Sequence, residues 1–177
     1  MLGNLSRGKP AIKLSVVNQM LPMVTKLFAS TDKDVIVDAC WAVSYMSGNK
    51  GGILACQGVE GLTESLVQYL LNSESSSIIR PALRAIGNFV TTDEASLTQK
   101  CLDANFISAF PRLLNHSEKM IRKEAVWALS NIAAGTTKQV QAIISHNDAK
   151  YGATGASIIQ TIVGFAKNEE YKIRKVR

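Results

Sequence analysis

Asp38-Ala39-Cys40-Trp41-Ala42-Val43-Ser44-Tyr45, Pro81-Ala82-Leu83-Arg84-Ala85-Ile86-Gly87-Asn88 and Glu124-Ala125-Val126-Trp127-Ala128-Leu129-Ser130-Asn131 are three versions of one octet. Trp41, Arg84 and Trp127 follow one another at steps of 43 residues. A helical repeat of about 40 to 47 residues marks a solenoid. Each unit of such an array contacts only its neighbours, and the stacked units offer a long groove to a partner. The repeat therefore points to binding rather than chemistry.

Around the octets the pattern is helical throughout. The segments near 16–29, 61–72 and 106–115 are apolar at helical spacing, as in Leu62, Leu66, Val67, Leu70 and Leu71. Each runs into a polar corner: Ser30-Thr31-Asp32, Asn72-Ser73-Glu74-Ser75 or Asn115-His116-Ser117-Glu118. These corners are expected to supply N-cap side chains for the octet helix that follows. Stretches near 48–52, 91–93 and 135–137 close that helix, and shorter helices near 51–57, 93–103 and 136–146 complete the unit. Short, long, long is the armadillo order, and an all-α armadillo superhelix is the expected fold. The units are expected at 1–9 (the end of one repeat), 10–48, 49–92, 93–135 and 136–177, the last partial and carrying an inserted loop at 147–157. Pro81 and Pro111 fall inside apolar helical patterns and are expected to kink their helices or delay their starts. Because both ends cut through a repeat, the reading is a segment of a longer array whose apolar ends can associate end to end.

Composition narrows the class. Of 177 residues, 46% are hydrophobic and 19% charged, which excludes a disordered chain. No apolar run reaches the roughly 18 residues that a membrane span requires. The opening residues lack a charged region followed by an apolar one, so they do not read as a signal peptide. Cys40, Cys56 and Cys101 are odd in number and set among apolar residues, and they read as reduced core thiols of an intracellular protein. The net charge of +6 suggests nucleic acid, but Lys172, Arg174, Lys175 and Arg177 crowd the last positions and the other cations are scattered. No direct nucleic-acid partner, no membrane and no cofactor are expected.

Positions i, i+3 and i+7 share one helix face. Glu124, Trp127 and Asn131 form such a line, and Ile121, Ala125, Ala128, Leu129 and Ile132 suffice for the neighbouring apolar face. The same line reads Asp38, Trp41, Tyr45 and Pro81, Arg84, Asn88 in the other octets. An extended peptide needs partners for its backbone, and an Asn amide offers one acceptor and two donors. Helices packed about 8–10 Å apart would meet a chain advancing about 3.3–3.6 Å per residue every two to three residues. Indole faces between the Asn residues suit Lys or Arg side chains. The ligand that fits is extended and basic.

The octets, including the two where Tyr replaces Asn and Arg replaces Trp, resemble consecutive central repeats of importin-α (karyopherin-α), and Leu2-Gly3-Asn4-Leu5-Ser6-Arg7-Gly8-Lys9 resembles the end of the preceding repeat. The resemblance implies an adaptor, cytoplasmic and nuclear, that binds nuclear localisation signals and joins them to importin-β through regions outside these repeats. It implies that Asn4 edges a major signal site. Trp127 and Asn131 match a pair of the minor site, flanked by Asn88 and Arg84, with Ser130 and Val90 lining it and Glu124 facing a cation. Trp41, Tyr45, Asp38 and Arg7 would line the region between the sites. Leu97, Val176 and the loop at 147–157 depart from the family's pattern.

An armadillo scaffold that receives extended acidic or mixed segments in signalling or adhesion is the alternative. An enzyme finds no support. His116 and His146 are read as corner residues without a matched nucleophile or metal-ligand partner, and no metal site is expected. Ser47-Gly48-Asn49-Lys50-Gly51-Gly52 lacks the order of a phosphate-binding loop.

Overall fold

The computed structural model describes residues 2–7, 12–91 and 95–150, together with 158, 160, 161 and 164. Among these residues there are helices and turns but no strand. In chain order they are α1 (Leu2–Ser6), α2 (Leu14–Leu27), α3 (Lys33–Met46), α4 (Lys50–Gln57), α5 (Leu62–Asn72), α6 (Ser76–Phe89) and α7 (Ala95–Asp103). A 3₁₀ turn (Phe106–Ala109) then leads into α8 (Phe110–Leu114), α9 (Lys119–Ala133) and α10 (Thr137–Lys150). The octets lie on α3, α6 and α9, and α1, α3, α6 and α9 pack one on the next as a ladder. The array is an armadillo solenoid.

Its core fills the space between the ladder and the helices behind it. Leu62, Leu66 and Leu70 of α5, Leu83 and Ile86 of α6, and Phe106, Phe110 and Leu113 are wholly buried. Cys40, Cys56 and Cys101 are buried free thiols of this core. Burial pushes the Cys40 and Cys56 thiols up to about 12 and raises that of Cys101 as well, so all three stay protonated.

Local chemistry sets the helix starts, with some departures from expectation. Asp32 caps α3, its carboxylate accepting from Asp34 N at 2.9 Å. Asn49 Oδ1 does the same for α4, accepting from Gly52 N at 3.0 Å. Ser75 and Glu118 precede α6 and α9 but make no side-chain cap. The Ser75 hydroxyl pairs with that of Ser77 instead, at 2.7 Å. At Glu118 the cap is the wrong length, since short side chains serve that position best; its N–H donates to His116 Nδ1 at 3.0 Å. Pro111 does delay α8, whose approach is the 3₁₀ turn. Pro81 delays nothing: α6 begins at Ser76 and runs through it, with the ring buried. Helix α2 likewise contains Pro22.

Helix α10 outruns its expected length. It continues to Lys150, into the stretch expected as an inserted loop, and it places His146 on a helix rather than in a corner. The rest of that loop, the basic C-terminal cluster and Val176 lie outside the described residues. A reciprocal capping box starts this helix. Thr136 N donates to Gln139 Oε1 at 2.9 Å, and Gln139 N reaches Thr136 Oγ1 at 3.4 Å.

Neighbouring layers are sewn together by side chains that reach back about one period. Asn88 donates to Ser44 O at 3.1 Å and Tyr69 to Phe28 O at 2.7 Å. Lys100 donates to Gln57 O at 2.9 Å, and Arg112 to Ser73 O at 2.7 Å and to Leu70 O. All of these acceptors sit at helix C-termini, where carbonyls lack an intrahelical partner.

Candidate functional site

The ladder helices bring most of the expected line together. A hollow of about 460 Å³ is lined by Arg7, Trp41, Tyr45, Arg84, Asn88 and Glu124, with Arg80 beside them. A second hollow of about 380 Å³ holds Asn131 and Val90 against Thr98 and Gln139. Asn4, Asp38, Trp127 and Ser130 line neither. Asn4 is exposed; Asp38, Trp127 and Ser130 are half-buried. Pro81 has left the line altogether and lies in the core.

The two indoles are not open faces. Tyr45 stacks on Trp41, one turn away on α3, with ring centroids 5.5 Å apart and planes 21° from parallel. Arg84 does the corresponding work at Trp127: its guanidinium carbon lies 5.6 Å from the ring centroid, within cation–π range. The same guanidinium donates to Glu124 Oε2 at 3.1 Å. Trp127 also meets Gly87 of the same helix α6, where a Cβ would fall 2.5 Å from Cζ3 and 3.0 Å from Cε3. Gly3 repeats that arrangement one seam earlier, since a Cβ there would lie 3.0 Å from the Cβ of Trp41. The residue before each ladder Asn is thus glycine where the next repeat supplies tryptophan.

The two Asn side chains are in different states. Asn88 gives its amide to the end of α3, at 3.1 Å from both Ser44 O and Ser47 Oγ. Its donors are spent on the scaffold, leaving the carbonyl oxygen as its free function. Val90 stands 43 residues after Ser47 and brings no hydroxyl to the same place at Asn131. There Nδ2 is buried and has no hydrogen-bond partner. A buried donor in that condition costs about 1–3 kcal/mol.

Charge across the face is uneven. Burial raises the Glu124 carboxyl above its ordinary value, and Arg84, Lys123 and Arg80 pull against that shift without cancelling it. Glu124 faces three cations, while Arg7 adds a further positive charge to the same hollow. Among the described residues no group of three His, Cys, Asp or Glu is placed to hold a metal ion, and no helix is long and apolar enough to cross a membrane.

Sequence reasoning passed over Arg80, Gly87, Ser47 and Gln139. Arg80 sits one turn before Arg84, outside the octet, and Ser47 likewise lies just past its octet. Gly87 is inside an octet but carries no side chain to suggest a role. Gln139, almost wholly buried, tethers α10 to Ala95 O at 3.0 Å, and only the Thr-x-x-Gln spacing could have flagged it.

Known proteins agree with this architecture. Residues 96–134 match the armadillo/beta-catenin-like repeat family. The chain is 39% identical over 145 residues to importin subunit alpha-1a of Oryza sativa subsp. japonica, an alignment covering 81% of the chain and 27% of that protein. It is 36% identical over 170 residues to importin subunit alpha-4 of Arabidopsis thaliana, covering 96% of the chain and 30% of that protein. The chain thus spans between a quarter and a third of the length of these curated relatives. Among solved structures, a designed armadillo repeat protein in complex with the peptide (KR)4 superposes with a TM-score of 0.78 at 24% identity, over 98% of this chain and 68% of that one. Computationally designed armadillo repeat proteins for modular peptide recognition superpose with a TM-score of 0.80, again at 24% identity and over the same shares of the two chains. The chain is built of armadillo repeats of the importin-α type.

Proposed function

We propose that this chain binds extended Lys- and Arg-rich peptides, of the kind that serve as nuclear localisation signals, along the α6–α9 face. The observation that carries the reading is the Asn131 amide, buried without an acceptor on the same helix line as Trp127 and Glu124. A peptide carbonyl is the acceptor that such a donor needs. Trp127 would pack the aliphatic stem of a basic side chain, with Ser130 and Val90 beside it. Asn88 would accept a backbone N–H through its carbonyl oxygen. Arg7, Asp38, Trp41 and Tyr45 would carry the preceding stretch of ligand toward Asn4.

The names of the relatives support the setting. In this reading the chain contributes to a nuclear import adaptor at work in cytoplasm and nucleus, joined to importin-β through regions outside these repeats, and no chemical step is involved. The test is fluorescence anisotropy with a labelled (Lys-Arg)4 peptide. Trp127→Ala combined with Asn131→Ala is expected to weaken binding by at least about tenfold, a loss of roughly 1.4 kcal/mol. Equal binding by the double variant would refute the site.

A second reading has one observation behind it. Arg7, Arg80 and Arg84 line the same hollow, with Glu124 as the carboxylate among them. That balance suits an acidic segment, as an armadillo scaffold in signalling or adhesion would receive. Competition of (Glu-Asp)4 against (Lys-Arg)4 separates the readings, and displacement of the basic peptide by the acidic one at matched ionic strength favours the scaffold.

A further inference from the structure

We infer that Arg84 is a built-in ligand of the Trp127 subsite and thereby a residue that determines specificity: it excludes a cationic ligand side chain from the face of Trp127 turned toward α6. This inference rests on the peptide-binding reading above.

The geometry is that of a bound basic side chain, supplied by the chain itself. An incoming Lys or Arg would look for an indole face and a carboxylate. Both are present, and both are engaged by the same guanidinium: 5.6 Å from the Trp127 centroid and 3.1 Å from Glu124 Oε2. Gly87, one turn after Arg84 on α6, packs close against the same ring, where a Cβ would fall 2.5 Å from Cζ3. Arg84 comes from the preceding repeat, 40 residues before Glu124. Its planar fork is better suited than a lysine to hold a carboxylate and lie over a ring at once.

The position is nonetheless exchangeable. The Arg84 side chain is 49% exposed, whereas that of Glu124 is 17% exposed. An exposed ion pair and an exposed cation–π contact are each weak, so a ligand cation can displace Arg84 only by repaying both. The ligand residue that meets the α6-facing side of Trp127 is therefore selected against positive charge, and the basic run of a ligand is read on the other face of the indole and at Asn131.

Arg80 provides the control. It carries the same charge one turn earlier on α6, lines the same hollow and acts on Glu124 electrostatically, yet the guanidinium stacked over the Trp127 ring is that of Arg84. Arg84→Gln and Arg80→Gln therefore lower the local charge equally, while only the first vacates the indole.

The experiment is anisotropy with labelled (Lys-Arg)4 on wild type, Arg84→Gln, Arg80→Gln and Trp127→Ala with Asn131→Ala, at about 0.15 M and 0.5 M salt. Arg84→Gln is expected to bind about three- to tenfold more tightly than wild type, as the sum of two weak contacts released. Arg80→Gln is expected to gain less, and its gain to fade at the higher salt, where screening shortens the reach of exposed charge. The Arg84→Gln advantage over Arg80→Gln persists. Equal gains in the two variants overturn the inference, because bulk charge then explains them. So does unchanged or weaker binding by Arg84→Gln while the double variant still loses binding, an outcome that leaves the peptide-binding reading intact. If wild type and Arg84→Gln both fail to bind, that reading falls and the inference falls with it. A gain in Arg84→Gln alone supports both.

Discussion

Gly87→Ala is the perturbation that tests the ladder's internal geometry most directly. The new methyl would fall 2.5 Å from Trp127 Cζ3, 3.0 Å from Cε3 and 3.4 Å from Cη2. Carbon atoms prefer about 3.5–4.0 Å, so the ring must retreat by about 1 Å. Overpacking of this kind costs about 1–3 kcal/mol. Position 87 is also interior to α6, where alanine is favoured over glycine by about 0.8–1.0 kcal/mol. The net effect in the wild-type background is a loss of about 0–2 kcal/mol. In a Trp127→Ala background the clash is gone and only the helical gain remains, so the same substitution should stabilise by about 0.5–1 kcal/mol. The sign therefore reverses between backgrounds, with a coupling of about 1–3 kcal/mol. Urea unfolding followed by far-ultraviolet circular dichroism on the four proteins measures it. A coupling below about 0.5 kcal/mol would show that Gly87 and Trp127 are independent and that the glycine has another cause.

Two further predictions concern polar groups on the same face. Because burial holds the Glu124 carboxyl above its ordinary value, its ionised form is a net burden on the folded state at neutral pH. As pH falls the folded state takes up this proton before the unfolded state does, so Glu124→Gln should be at least as stable as wild type at pH 7 and lose that advantage near pH 4.5. Urea midpoints at the two values check the sign, and an advantage that grows in acid would contradict it. Val90→Thr should restore to Asn131 the hydroxyl that Ser47 gives Asn88. It is expected to be tolerated within about 0.5 kcal/mol, but to cost about 1–2 kcal/mol more in an Asn131→Ala background, where the buried hydroxyl has no partner. Equal costs in both backgrounds would mean that the amide and position 90 do not meet.

The octets made the fold legible because a phase repeated every 43 residues fixes both the helix and the face it turns to its neighbours. What phase cannot convey is occupancy. That Trp41 and Trp127 share a register was readable; that Tyr45 and Arg84 lie over them was not, because those contacts depend on rotamers and on an approach across a seam. The two Asn residues make the same point. Their difference arises from Ser47 and Val90, which align at the same step but lie outside the octets, so attention to the octet alone missed it. Of the caps expected in the polar corners, the one at Asp32 was legible because a short acid did the capping, whereas the Asn49 cap lay inside a stretch read as closing the preceding helix. At Ser75 a neighbouring hydroxyl competed for the side chain, and no spacing rule anticipates that.

The stitches that end on backbone carbonyls have a direction, unlike the side-chain pair Arg84–Glu124, whose donor is the earlier residue. In the pairs Asn88 to Ser44, Tyr69 to Phe28, Lys100 to Gln57 and Arg112 to Ser73, the donor belongs to the later helix and the acceptor is a backbone carbonyl at the end of an earlier one. Those carbonyls need no later partner in order to form, since water can satisfy them in the meantime. The later side chains, in contrast, find their acceptors already built. A ribosome delivers the layers in that order, so each new layer meets carbonyls that are already in place, and the polarity of these backbone-directed bonds matches the polarity of synthesis.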